Sequence, residues 1–301
     1  MKPRTGVASL IGALAITVAP AHAQEQPGAA ASTQASMPIP TRTGHVNANG
    51  INYYFAIYGK GEPLLLLHGG LGQIEMFGPN LAALAAEHQV IGVDLQGHGR
   101  TPLGNRPINL VDIGDDLAVI LDSLGYKQVD VMGYSFGGGV AFRLALQHPS
   151  LVRRLVLVST PFAQDGFYPE MLPQQAAVGA AMAPMMKDTP MYKSYVAIAP
   201  DSTEFPKLLD AMGAAMRQPY DWTGDLPRLK MPVMLVYGDA DMIQLDHIVK
   251  SYHLLGGGQR DAGWNREHIS QNRLAILPNV THYEMGVTPA LVSAVEPFLE
   301  R

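Results

Sequence analysis

Apolar and polar positions follow two rhythms along this chain. Ile51 to Tyr58 alternates aromatic and aliphatic positions with polar ones, the period-two signature of a half-covered strand, and predicts an edge strand. Pro63 to Leu67 is a continuous apolar run that ends in His68-Gly69-Gly70, as a strand buried on both faces does. An Ala/Leu-rich helical stretch follows over Asn80 to Glu87, then a strand over Val90 to Asp94, a glycine-rich turn from Gln96 to Gly99, and an amphipathic helix from about Asn109 to Leu124. Val129 to Met132 reads as a strand and Gly137 to Gln147 as a helix stopped at His148-Pro149. Leu155 to Ser159 is a further buried strand.

Strands that alternate with helices imply right-handed βαβ units. The expected fold class is therefore α/β: a doubly wound, mostly parallel β-sheet covered on both faces. After Pro161 the rhythm stops and resumes only with the strands Val233 to Tyr237 and Leu274 to Leu277. Residues 162–227, rich in Met, Ala and Pro, read as a helical cap inserted between two late strands of a core formed by residues 44–161 and 228–301. The polar, glycine-rich segment from Gly256 to Ser270 reads as a surface excursion before the last strand.

The first 23 residues have a different character. Lys2 and Arg4 precede an apolar run of about 12 residues from Val7 to Val18, too short for a membrane-spanning helix of about 20, and Ala21-His22-Ala23 is a small-x-small cleavage signal. They are expected to be a secretory signal peptide rather than a membrane anchor, which places the mature protein in the periplasm or outside the cell. Residues 24–43, rich in Gln, Ala, Ser, Thr and Pro, lack a hydrophobic period and read as a flexible linker.

Composition narrows the function. The chain of 301 residues is 47% hydrophobic and 16% charged, enough apolar material for one large core. Its 21 Lys and Arg residues are scattered and its net charge is −5, so no basic stripe is offered to nucleic acid. There is no Cys, hence no disulfide. No His-Glu-x-x-His pattern, acidic ligand cluster, phosphate loop or dinucleotide fingerprint occurs, and neither a metal nor another cofactor is expected.

The sharpest chemical signal is Gly133-Tyr134-Ser135-Phe136-Gly137, a Gly-x-Ser-x-Gly motif between a predicted strand and a predicted helix. A serine on so tight a turn needs neighbours without Cβ two residues to either side, and Gly133 and Gly137 meet that need. The helix behind it presents its N-terminus, where the amide of Phe136 and the helix dipole favour an oxyanion.

Two further motifs join this one. With His68-Gly69-Gly70-Leu71-Gly72 and Asp94-Leu95-Gln96-Gly97-His98-Gly99-Arg100-Thr101, the chain from about Gly44 to its end resembles the α/β-hydrolase fold family, as a serine carboxylesterase-like member with a helical cap. The resemblance implies a second oxyanion amide from Gly70 or Leu71, a structural turn at Asp94 to Thr101 with Thr in the place of the usual final Ser, and a loop-shaping role for His68. It implies Ser135 as nucleophile, His282, just after the last strand in Pro278-Asn279-Val280-Thr281-His282, as base, and an orienting acid after the strand Val233 to Tyr237. Gly238-Asp239-Ala240-Asp241 offers two carboxylates there; the family spacing Gly-x-x-Asp selects Asp241, and Asp239 fits a turn-bonding role.

Tyr134, Met182, Met185 and Met186 are the expected substrate-binding residues, the methionines as a deformable apolar roof. The expected partner is a small-molecule ester or related apolar substrate. The same fold and triad also serve carbon-carbon bond, lactone and amide hydrolysis, and some members of the fold bind ligands without turnover. The glycine-rich loop is also similar to that of proline iminopeptidases, which usually carry Pro where this chain has Leu71.

Overall fold

The computed structural model describes residues 37–300 of the chain. It begins with a hairpin, β1 (Arg42–Ala48) and β2 (Ile51–Tyr58), paired antiparallel from Arg42 opposite Ile57 to Ala48 opposite Ile51. Asn49 and Gly50 form the turn with φ of 48° and 89°, the paired positive values that a two-residue type I′ hairpin requires. Two expectations are corrected here. Ile51–Tyr58 is the second strand of the sheet and Arg42–Ala48 is its edge, because the hairpin adds a strand whose few apolar residues gave no periodic signal. The stretch expected to be a linker up to residue 43 therefore runs into β1; its residues 24–36, like the expected signal peptide, lie outside the described residues.

The remaining elements arrive in the expected alternation: β3 (Glu62–Leu67), α1 (Pro79–Glu87), β4 (His88–Val93), α2 (Leu110–Ser123), β5 (Val129–Tyr134), α3 (Phe136–Gln147) and β6 (Val152–Val158). Four helices follow, α4 (Met171–Ala176), α5 (Ala183–Met186), α6 (Pro190–Ile198) and α7 (Phe205–Met216), and then β7 (Val233–Ala240), α8 (Leu245–Leu254), β8 (Arg273–Thr281) and α9 (Pro289–Leu299). Among the described residues the sheet has eight strands in the order β1-β2-β4-β3-β5-β6-β7-β8, antiparallel at β1 and β2 and parallel from β4 to β8.

Both faces of this sheet are buried, and β3 shows how. Leu64 and Leu66 point into one apolar layer with Leu81 and Leu84 of α1 and Leu291 and Val295 of α9. Leu65 and Leu67 point into the other, with Ile113 and Leu117 of α2 and Val140 and Leu144 of α3. A strand's side chains alternate between faces, so an unbroken leucine run is the sequence of a central strand. Each such leucine, removed from water, contributes roughly 2 kcal/mol.

The helices α4 to α7 lie between β6 and β7, and no strand interrupts them; bridges at Ala163 with Asp221 and Phe167 with Ile243 are isolated. Thr189 caps α6 by accepting from the Tyr192 amide, with Pro190 at the first turn where its missing N–H costs nothing. On α7, Phe205, Leu208, Leu209 and Met212 fall on one buried stripe at helical spacing and join the same apolar layer as α2 and α3. The two ends of this insertion are sewn together where it leaves the sheet. The Gln164 amide donates to the Tyr220 carbonyl at 3.0 Å, and the Trp222 amide to the Phe162 carbonyl at 2.6 Å. Residues 255–272, between α8 and β8, form no helix or strand, as the glycine-rich composition led us to expect.

Candidate active site

β5 is buried until it reaches Tyr134, and the chain then turns sharply into α3 through Ser135, whose φ of 53° and ψ of −115° are unusual for a residue with a side chain. The turn is anchored at both ends: the Ser135 amide donates to the Val158 carbonyl of β6 at 2.8 Å, and its carbonyl accepts from the Gly139 amide at 3.0 Å. A Cβ on Gly133 would run into the backbone of Gly137, and one on Gly137 into the carbonyls of Leu67 and His68. The flanking glycines are thus demanded by close backbone approach, as the motif suggested.

Ser135, His282 and Asp241 meet at the ends of β5, β8 and β7. His282 Nε2 lies 3.0 Å from Ser135 Oγ, and His282 Nδ1 lies 2.8 Å from Asp241 Oδ1. Asp241 and His282 are buried, 6% and 7% exposed. A carboxylate only accepts, so Nδ1 carries the proton and donates to Asp241; the Nε2 lone pair is left free to accept from the Ser135 hydroxyl. A base on the serine's proton and an acid holding that base in the right tautomer form an arrangement that can generate a serine nucleophile. Asp239, the other carboxylate of the segment, is exposed and accepts instead from the Val280 amide at 3.4 Å.

The glycine loop after β3 passes directly over this serine. A Cβ on Gly69 would lie 3.6 Å from Ser135 Cβ, and one on Gly70 would lie 3.7 Å from Phe136 Cβ, while Leu71 adopts a φ of 57°. Phe136, the first residue of α3, carries one of the helix's unpaired amides. The glycine loop and the first residue of α3 therefore lie on either side of the serine, with Gly69 beside Ser135 and Gly70 beside Phe136.

His68 shapes this loop. Its Nε2 accepts from the Leu95 amide at 3.0 Å and its Nδ1 donates to the Gly69 carbonyl at 2.7 Å, so neither nitrogen is open to a substrate. Full burial drives its pKa down to about 4. His98, tilted against His68 at 5.2 Å and stacked on Phe136 at 5.7 Å, is likewise pushed down to about 3 by burial. The Asp94 turn is structural too. Its carboxylate accepts from the amides of Ile74 at 3.0 Å and Arg100 at 2.9 Å, and burial outweighs these bonds to raise its pKa to about 6.

The expected substrate-binding residues are placed differently from one another. The Tyr134 hydroxyl donates to the His282 carbonyl at 2.6 Å and its ring lies 5.4 Å from the imidazole, so this residue supports the histidine from the elbow side. Met182 and Met186 pack into the apolar layer that holds α7, but Met185 is 74% exposed and departs from the expected roof. The methionine of the insertion that reaches the glycine loop is Met212 of α7, whose Cε lies 3.0 Å from where a Gly70 Cβ would stand; Met76, outside the insertion, reaches the same loop at Gly72. Met212 lies on the buried stripe of α7, and which methionine of the insertion meets the loop depended on how the insertion folds back.

Two supports had no sequence signal. Ser159 donates its hydroxyl to Asp241 Oδ2 at 2.5 Å. Asn80, buried on α1, donates its side-chain amide to the carbonyls of Gly286 at 2.9 Å and Thr288 at 3.0 Å, pinning the segment that follows His282. Among the described residues no group of three or more His, Asp or Glu side chains is arranged to hold a metal ion, and no helix is long and apolar enough to cross a membrane.

Comparison with known proteins agrees with this fold. Residues 62–184 match the family described as alpha/beta hydrolase fold. A pimeloyl-[acyl-carrier protein] methyl ester esterase of Neisseria meningitidis serogroup B is 34% identical over 203 residues, 60% of this chain and 76% of that protein. A protein of Azorhizobium caulinodans, provisionally named a carbamate hydrolase, is 38% identical over 114 residues, and the match spans only 38% of this chain and 43% of that one. Among solved structures, a thermophilic esterase from Thermogutta terrifontis superposes with a TM-score of 0.66 at 21% identity, over 86% of this chain and 98% of that one, a likeness of fold. The chain belongs to the α/β-hydrolase fold family.

Proposed function

We propose that this protein is a serine hydrolase that cleaves carboxylic esters of small to medium apolar substrates through an acyl-enzyme. The observation that carries the reading is the unbroken chain of contacts from Asp241 through His282 to Ser135, 2.8 and 3.0 Å long. Ser135 attacks the ester carbonyl while His282 Nε2 takes its proton; the proton then goes to the leaving alcohol, and water repeats the sequence to release the acid. The amides of Phe136 and of Gly70 or Leu71 hold the negative oxygen, where one lost donor typically costs about 3 kcal/mol. Asp241 stabilises the imidazolium that forms at each transfer. Phe136, next to the serine in the chain, and Met212, at Gly70 of the glycine loop, supply apolar surface there, the basis for an apolar acyl or alcohol group.

The test is hydrolysis of a p-nitrophenyl ester series by the mature protein and its Ser135→Ala variant. Turnover with a burst, reduced at least about 10⁴-fold in Ser135→Ala, is expected. Undiminished turnover in the variant would remove Ser135 from the chemistry, and no ester turnover at all would turn the reading to lactone, amide or carbon-carbon substrates. We further propose, from residues 1–23, that the protein is exported to the periplasm or beyond.

A further inference from the structure

The C-terminal end of β6 lies between the strand that ends in Ser135 and the strand that leads to Asp241. Two consecutive residues there face the two ends of the triad. The Val158 carbonyl accepts the amide of Ser135 at 2.8 Å, and the Ser159 hydroxyl donates to Asp241 Oδ2 at 2.5 Å. The Ser159 amide in turn donates to the Val236 carbonyl at 2.8 Å, which ties the residue to β7. Ser159 is fully buried, and its φ of 47° lies in the left-handed region, where a residue with a side chain is uncommon.

Asp241 explains what that hydroxyl is for. A buried carboxylate needs donors on both oxygens, and Oδ1 is taken by His282. On Oδ2 the Gly238 amide stands at 3.5 Å, a marginal distance, so the Ser159 hydroxyl is the strong donor. Without it the carboxylate is free to rotate about its Cβ–Cγ bond and share its oxygens between His282 and the Gly238 amide. A glycine at 159 would relax the backbone but remove the hydroxyl, so backbone and side chain make opposite demands there.

We propose that Ser159 is a positioning residue of the triad, its hydroxyl fixing Asp241 so that Oδ1 faces His282, on the same turn that anchors the nucleophile. The proposal rests on the serine-hydrolase reading given above. The other titratable groups around the Asp241–His282 pair are Tyr134 from the elbow, Tyr237 from β7 and Tyr283 from the segment after β8. Burial raises Tyr134 and Tyr237 above the ordinary tyrosine value, so both stay neutral through the working range.

Ser159→Ala and Ser159→Gly test the proposal in the full mature chain, by NMR titration of the His282 ring and by the pH profile of ester hydrolysis. Removing a donor from the carboxylate makes the Asp241–His282 pair take up its first proton at higher pH. Both variants are therefore expected to move the His282 midpoint and the acid limb of kcat/KM upward by about one pH unit, with kcat/KM lowered roughly 10- to 100-fold and KM little changed. In an Asp241→Asn background, Ser159→Ala should add little. A purely structural residue would behave otherwise: Ser159→Gly, relieved of backbone strain, would keep the wild-type midpoint and rate, and that result overturns the proposal. If Ser135→Ala still hydrolyses esters, the hydrolase reading fails, yet the His282 titration still decides whether Ser159 holds Asp241. Should the alanine variant not fold, the glycine variant carries both measurements.

Discussion

His68 and His98 stand side by side beneath the glycine loop, buried and uncharged, and they link the site to the stability of the whole chain. Their ordinary value is 6.5, and burial brings them to about 4 and about 3 in the folded protein. As the pH falls below 6.5 the unfolded chain binds protons that the folded chain refuses, so stability is present above 6.5 and lost through this window. Asp94 acts in the opposite sense: its folded value is raised from 3.8 to about 6, so the folded state binds more protons between those limits. His68 and His98 against Asp94 leave a net of about one proton, or roughly 1.4 kcal/mol per pH unit, and His247, also lowered by burial, acts in the same direction as the two histidines. Thermal melting should therefore show a falling Tm from pH 6.5 to about 4, and His98→Gln should flatten that fall. A Tm that holds steady or rises across the window would show that these imidazoles accept protons in the folded state. At this scale Ser135 was legible in the sequence because its turn demands glycines at fixed offsets, and His282 and Asp241 because they follow strands at the family's spacing. Ser159 was not, since one serine after a strand obeys no spacing rule.

Among the elements, α1 has a task beyond covering the sheet. Asn80 on its first turn reaches the carbonyls of Gly286 and Thr288, more than two hundred residues along the chain, and holds the segment that carries His282 out of β8. Asn80→Ala leaves both carbonyls without that donor, a cost of about 1–3 kcal/mol where they are buried. Faster amide exchange over residues 283–288 and a several-fold drop in kcat/KM are expected, with Ser135 still reactive to a phosphonate probe; unchanged exchange there would show that the segment holds itself. The strands from Ile51 onward and the helices up to α3 were read from periodicity to within a few residues, whereas α8, α9 and β1 were not: Arg42–Ala48 has almost no apolar content, and the Asn49-Gly50 pair, a hairpin signal in plain view, was the clue to it.

For the whole molecule, the insertion is the part whose composition said least. Its ends are joined by the Gln164–Tyr220 and Trp222–Phe162 bonds, and Arg143 of α3 lies 4.2 Å over the Trp222 ring while pairing with Asp225 at 3.3 Å. Helices α4 to α7 are thus fastened to the sheet at their base, and α7 brings Met212 to Gly70 of the glycine loop. Export belongs to this scale as well. Under the proposed export, cleavage after Ala23 would fall before the first strand, β1, which begins at Arg42. Expression with an intact secretion pathway should yield a protein whose mass corresponds to a chain starting at Gln24; the full-length mass in the soluble cytoplasmic fraction would refute export.

The sequence by itself determined the α/β class and the glycine-flanked turn at Ser135, local matters written in the period of apolar residues and in glycines where no Cβ fits. Asp241 and His282 were picked out by resemblance to the family. Only the tertiary structure decided which strand is the edge, which methionine of the insertion meets the glycine loop, and which hydroxyl donates to Asp241. Ser159 meets Asp241 only when β6 and β7 lie side by side, and Met212 meets Gly70 only when the insertion folds back. Periodicity fixes the face a side chain takes, and packing of the whole chain fixes what that face meets.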